Sequence, residues 1–122
     1  MANQHWGDTW LTTCKCLSLI LTQADSEDVA KAFIGEISRE HQKARHIAFA
    51  YVMLNTAKTS DDGEPRGTAG LAIYNVITRH KLKNVVVVVV RYFGGTLLGK
   101  GGLIRAYGKA AGLTIEGSLQ RQ

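Results

Sequence analysis

The sequence is poor in cysteine and proline and has no hydrophobic run long enough to cross a membrane. Its 122 residues include one Pro and two Cys, and Cys14 and Cys16 stand one residue apart. On a strand these two thiols would share a face, where a disulfide between them would be strained. No other cysteine is present to complete a metal site, so we expect reduced thiols in a cytoplasmic protein. No apolar run approaches the ~20 residues that span a bilayer, and the first residues lack the pattern of a signal peptide.

Acidic residues are almost absent from the second half of the chain. Residues 66–122 contain 9 Lys or Arg and 1 acid, Glu116, whereas residues 1–65 contain 6 Lys or Arg and 9 Asp or Glu. The net charge of +5 is therefore the sum of −3 and +8. A basic half of this strength favours an anionic partner such as RNA, although a solvated basic face would have the same composition.

Hydrophobic periodicity predicts alternating strands and helices in the order β-α-β-α-β-α. The predicted strands are 14–21, 46–54 and 84–91, and the predicted helices are 25–42, 68–80 and 103–111, with Gly112 ending the last helix. Asp25 or Ser26 is the expected N-cap of the first helix. Six consecutive valines make 84–91 a central strand, apolar on both faces. The pattern predicts an α+β, two-layer domain with helices packed on one sheet, preceded by a variable segment at 1–13.

A glycine-rich segment, GGTLLGKG, follows this strand at 94–101. Gly94, Gly99 and Lys100 match the phosphate-binding loop of nucleotide hydrolases, but Gly101 stands where a Ser or Thr must hold magnesium. This departure argues against nucleotide hydrolysis. The glycines are expected to allow a tight turn, and their backbone N–H groups, with Lys100 and Arg105, could also bind an anion.

Two further basic groups flank the valine strand. Arg91 and Tyr92 end it, and an arginine beside aromatic rings can hold a phosphate and stack a base. The alternative is an ion pair between Arg91 and a carboxylate. Arg79, Lys81 and Lys83 precede the strand in RHKLK, either as a nucleic-acid contact or as a solvated cluster.

An acidic loop, DDGEPRGTAG, occupies residues 61–70. Asp61, Asp62 and Glu64 could bind a divalent cation or act as a general acid–base pair. They could instead neutralise Arg91 and Arg105, or cap the helix that begins near residue 68. We favour the structural interpretations.

The acidic loop and the segment NVVVVVVRYFGGTLLGKGGLIRAYGKAA at 84–111 together resemble the IMPACT family, in particular the N-terminal domain of its bacterial, YigZ-like branch. The resemblance extends over roughly residues 14–112, and His46 occupies the family's usual histidine position. The first strand departs from the family pattern, since it has CKCLS where a Lys-Ser-basic-Phe stretch is usual. Bacterial members also carry a second small domain, whereas this sequence stops at Gln122.

The resemblance implies a fold like the second domain of a small-subunit ribosomal protein, with a left-handed βαβ crossover. It also implies a single domain at 14–117, a tail at 118–122 and a place in translational regulation. The family pattern marks Asp61, Asp62, Gly63, Glu64, Pro65, Gly67, Thr68, Gly70, Arg91, Tyr92, Gly94, Gly95, Gly99, Gly101, Gly102 and Arg105. We expect the acidic loop to pack against the glycine turn, with Arg91 or Arg105 joining them through charge-assisted hydrogen bonds.

The expected function is that of a non-enzymatic domain without cofactor or metal, whose partner is RNA or a ribosome-associated protein. The expected anion or nucleic-acid contacts are Arg79, Lys81, Lys83, Arg91, Tyr92, Gly94, Gly95, Lys100, Gly101 and Arg105. Two alternatives stay open: a protein-interaction module, and a metal-assisted hydrolase that uses the acidic loop. The sequence leaves the oligomeric state open.

Overall fold

A computed structural model describes residues 2–6, 9–14, 17–64, 66–92 and 99–120. These residues form one antiparallel sheet and three helices. The strands are β1 (Ala2–Trp6), β2 (Thr9–Cys14), β3 (Leu17–Gln23), β4 (His46–Val52), β5 (Ala57–Ser60) and β6 (Val85–Arg91). The helices are α1 (Glu27–Glu40), α2 (Gly70–Arg79) and α3 (Gly99–Gln120). None of the described helices is both long and apolar enough to cross a membrane.

The valine strand lies in the interior of the sheet, whose order is β1-β2-β3-β6-β4-β5. β6 pairs along its whole length with β3 on one side and β4 on the other, so that Arg91 lies opposite both Leu17 and His46. Since both neighbours run antiparallel to β6, β3 and β4 are parallel to each other. The unit β3-α1-β4 is therefore a split βαβ with β6 inserted between its strands.

The two faces of β6 enter separate hydrophobic cores. Val85, Val87 and Val89 pack on the side of α2 and α3, whereas Val86, Val88 and Val90 pack on the side of α1. The predicted α+β class and the buried valine strand are confirmed, and the six predicted elements occur in the predicted order, with β1, β2 and β5 in addition. The predicted two layers become three, because a strand that is apolar on both faces needs helices on both.

Helix α1 begins as its sequence predicts. The side chain of Ser26 accepts a hydrogen bond from the backbone N–H of Val29 at 3.3 Å, and Glu27 and Asp28 place negative charge in the first turn. Ser26 is thus the N-cap, one of the two candidates that the sequence offered.

Several predicted boundaries were wrong, and α3 also begins at Gly99 rather than at residue 103. The strand predicted at 14–21 begins on the last residue of β2, whereas the apolar strand itself is β3, Leu17–Gln23. The predicted loop 55–67 contains β5, which is short and exposed and therefore has no hydrophobic alternation. Helix α3 continues past Gly112 because Ile115, one turn further, is buried in the same core, and this packing outweighs the cost of a helical glycine.

Candidate functional site

The acidic loop connects β5 to α2, and the side chain of Asp61, at the start of this loop, caps the N-terminus of α2. Its Oδ1 accepts hydrogen bonds from the backbone N–H groups of Ala69 at 3.1 Å and Gly70 at 2.8 Å. Its Oδ2 accepts one from Gly67 at 2.9 Å. Burial alone would raise the pKa of this carboxyl, but these hydrogen bonds and the nearby charge of Arg66 lower it below its usual value. Asp61 therefore satisfies N–H groups that the first turn of α2 would otherwise leave without partners.

Asp62 and Gly63 attach the loop to the start of β4. The Oδ2 of Asp62 accepts a hydrogen bond from the backbone N–H of Ile47 at 2.6 Å, and the carbonyl of Asp62 lies 2.7 Å from Nδ1 of His46. Gly63 has φ of +85°, and a Cβ there would lie 3.3 Å from the His46 ring. A side chain at this position would be strained and crowded.

Glu64 is the centre of a buried polar network that joins three elements to the loop. Its Oε1 accepts a hydrogen bond from Nη2 of Arg91 at 2.8 Å, and its Oε2 accepts one from the hydroxyl of Tyr107 on α3 at 2.6 Å. Nε2 of His46 lies 3.4 Å from Oε1. The side chain of Glu64 is only 2% exposed and that of Arg91 is 11% exposed. The ion pair is thus largely withdrawn from water, where removal of either partner is costly.

The same contacts limit what the acidic loop can do chemically. Each of its three carboxylates already accepts hydrogen bonds from the backbone or from buried side chains. Burial, together with the hydrogen bond to Glu64, raises the pKa of Tyr107, so this phenol stays neutral as a donor. Among the described residues, no three His, Cys, Asp or Glu side chains gather as candidate metal ligands. The arrangement connects β4, β6, α2 and α3 rather than presenting reactive groups to a substrate.

Gly70 shows how closely the end of the loop is packed. A Cβ at Gly70 would lie 2.8 Å from both the backbone N and the backbone O of Ser60 in β5. Thr68 and Ala69 beside it are fully buried. The last residues of the acidic loop therefore wedge the start of α2 against β5, and glycine is the residue type that leaves this space.

The predicted basic residues fall into two groups. Arg91 is held in the ion pair with Glu64, whereas Arg79, Lys81 and Lys83, at the junction of α2 and β6, are exposed. Arg105 and Lys109 are exposed one turn apart on α3. The expected partners within the glycine turn, Gly94 and Gly95, lie outside the described residues, as do Pro65 and the side chain of Lys100. Gly99, Gly101 and Gly102 belong to the first turn of α3.

Sequence reasoning missed Tyr107 as a member of the network. Tyr107 follows Leu103 by one helical turn, and both residues lie on the buried face of α3. That spacing predicts a core position, but nothing in it indicates that the hydroxyl would meet a carboxylate 43 residues away.

Comparison with known proteins places these observations in a family. Residues 18–115 match the Impact N-terminal domain. The chain is 44% identical over 107 residues to the IMPACT family member YvyE of Bacillus subtilis, a match that covers 84% of this chain and 49% of the relative. It is 42% identical over 94 residues to the IMPACT family member YigZ of Escherichia coli, covering 73% of this chain and 46% of the relative. The chain thus spans about half the length of the curated relatives it matches.

Solved structures support the same relationship. A protein described as hypothetical superposes with a TM-score of 0.79 at 32% identity, over 94% of this chain and 55% of that one. The two-domain translational regulator Yih1 superposes with a TM-score of 0.55 at 23% identity, over 94% of this chain and 48% of that one, which shows a shared fold. The match over residues 18–115 and the identity to bacterial relatives show that the chain belongs to the IMPACT family, as an Impact N-terminal domain.

Proposed function

We propose that this domain is a non-enzymatic, cytoplasmic RNA-binding domain with a regulatory role in translation. The supporting observation is the charge of its surface after the acidic loop. Among the described residues from 66 to 118, the exposed charged side chains are Arg66, Arg79, Lys81, Lys83, Arg105, Lys109 and one acid, Glu116. Of the loop acids, Glu64 is buried and paired with Arg91, so this pair adds no net charge to the surface. The exposed charge of this stretch is therefore positive and available to phosphates.

The role in translation is inferred from the family and the fold. Yih1, which shares the fold, is described as a translational regulator. An RNA-binding surface would suit a domain that acts on the ribosome or its associated factors, and its affinity would come mainly from phosphate contacts without base specificity.

The test is the salt dependence of RNA binding, measured by fluorescence anisotropy with a labelled single-stranded RNA. Each phosphate contact that is removed lowers the slope of log K against log salt by about 1. We expect K81A/K83A to lower the slope by about 2 and to weaken binding at low salt. The matched control K31A/K58A removes two exposed lysines from α1 and β5, and its slope should stay within about 1 of the wild type. The absence of RNA binding at low salt, or equal slopes for both double variants, would contradict the proposal.

A protein-interaction module is the second candidate, favoured by Leu71. This side chain is 46% exposed on the first turn of α2, and its Cδ2 lies 4.0 Å from the position of a Cβ at Gly67 in the acidic loop. Association with a protein partner that survives nuclease treatment, is lost in L71D and persists in K81A/K83A would favour this candidate over RNA binding.

A further inference from the structure

Tyr92 is an exposed aromatic ring that is nevertheless held in place. It lies one residue beyond the end of β6 and is 38% exposed. Its hydroxyl forms a hydrogen bond with Nδ1 of His41, the C-cap of α1. The two rings also meet edge to face, with centroids 5.7 Å apart and an interplanar angle of 66°. A ring fixed at two points loses little conformational freedom when a ligand stacks on it.

Two exposed cations, Lys43 and Arg45, belong to the connection that follows His41. The backbone N–H of Arg45 donates to the carbonyl of Arg91 at 2.8 Å, just beyond the last pair of the β4–β6 ladder, His46 with Arg91. The carbonyl of Arg91 belongs to the peptide that leads into Tyr92, so the backbone of Arg45 lies next to that of Tyr92. Lys43 stands two residues earlier in the same connection, and both Lys43 and Arg45 are exposed.

The guanidinium of Arg91 is next to Tyr92 in the sequence but does not face a ligand of Tyr92. Arg91 is directed to Glu64, on the side of the sheet that carries α2 and α3. By strand alternation, Tyr92 belongs to the opposite side, with Val90 and α1. Within the described residues on that side of the sheet, the α1–β4 connection supplies exposed cations, and the exposed acid closest to them in sequence is Glu40 at the end of α1.

We propose that Tyr92, positioned by His41, stacks an unpaired base of single-stranded RNA while Lys43 and Arg45 bind the adjacent phosphates. This site deepens the proposed RNA-binding function and rests on it. Aromatic stacking tolerates any base, because every base has a π-face, and the flanking cations follow the backbone. The site lies at the opposite end of β6 from Lys81 and Lys83, about 20 Å away for a strand of this length.

Three probes separate stacking from charge: a short oligouridine, an abasic ribose-phosphate chain of equal length, and an RNA duplex. We expect Y92A to weaken oligouridine binding by about 5- to 10-fold, the lower part of the range for a stacked base. Binding of the abasic chain and of the duplex should not change. Y92F keeps the ring and should lose less than half of that effect. K43A/R45A should weaken oligouridine and the abasic chain alike and lower the salt slope by about 2.

Leu54→Ala is the matched control, since it removes an exposed apolar side chain elsewhere on the surface, and its binding should equal that of the wild type. If Y92A binds oligouridine like the wild type, or weakens the abasic chain equally, the stacking site is overturned while the proposed RNA function stands. If the wild type binds none of the three probes at low salt, both the stacking site and the proposed RNA-binding function are contradicted. Thermal unfolding followed by circular dichroism confirms that each variant is folded.

Discussion

Replacing Glu64 is the most direct test of the buried network. Glu64→Ala removes the acceptor of both Arg91 and Tyr107 and leaves a guanidinium that is 11% exposed without its counter-charge. Removing one member of a buried ion pair costs about 3–5 kcal/mol. For a domain of this size each kcal/mol corresponds to roughly 4 °C, so the melting temperature should fall by roughly 12–20 °C. Glu64→Gln keeps the size and one of the two oxygen acceptors, and it should lose about 1.5–3 kcal/mol because the charge and the second acceptor are removed.

The assay is equilibrium unfolding in urea, followed by far-UV circular dichroism at neutral pH. Glu40→Gln, an exposed acid at the end of α1, is the control and should change the free energy of unfolding by less than about 0.5 kcal/mol. The triple variant E64L/R91M/Y107F replaces all three partners by apolar side chains and should recover most of the stability lost in Glu64→Ala. The reasoning would be refuted if Glu64→Ala cost less than about 1 kcal/mol, or if the triple variant were less stable than Glu64→Ala.

Two further predictions concern the acidic loop. The pKa of Asp61 is lower in the folded chain than its ordinary value of 3.8, so its carboxylate contributes stability above pH 3.8 that is lost as the pH falls through the folded pKa. Asp61→Asn should have a free energy of unfolding about 2 kcal/mol lower than the wild type at pH 7, within the range of a lost helix cap. In urea titrations below pH 3.8 this difference in free energy should become smaller. A difference that does not change with pH would contradict this role. Gly70→Ala should destabilise by about 1–3 kcal/mol because its Cβ meets the backbone of Ser60. The control is Gly35→Ala on α1, where a Cβ would lie 3.6 Å from the side chain of Arg39; it should be neutral or stabilising by up to about 1 kcal/mol in the same denaturation series. Equal losses for the two variants would show that the clash at residue 70 is not decisive.

The sequence predicts the central strand and its neighbouring elements because their signals are local. Six valines cannot be solvated, so they define a strand buried on both faces, and Ser26 with two acids behind it marks the start of α1. The short strand β5 could not be predicted, since its side chains are exposed and its order comes from backbone pairing with β4. The length of α3 was underestimated because Gly112 is a stop signal in isolation, whereas the contacts of Ile115 are tertiary.

The contacts of the candidate site show the same difference between local signals, which the sequence contains, and tertiary contacts, which it does not. Sequence reasoning listed Arg91 as an anion contact and left an ion pair with a loop carboxylate as the alternative; the structure shows such a pair with Glu64. Helix capping was one of the structural interpretations favoured for the acids, and Asp61 caps α2. The partnership of Tyr92 with His41, 51 residues away, depends on where α1 ends relative to β6. No spacing rule within the sequence contains that information.

The central position of β6 in the sheet constrains how this chain folds during synthesis. The strand in the middle of the sheet comes after β3 and β4 in the sequence, so neither can find its main partner until residue 91 has left the ribosome. Contacts this distant along the chain close slowly, and before closure two strands have unpaired edges, where nascent chains tend to associate wrongly. During synthesis the growing chain therefore depends on dilution or on chaperones to avoid wrong association. This period ends only when the six valines of β6 have been synthesised and can pair with β3 and β4.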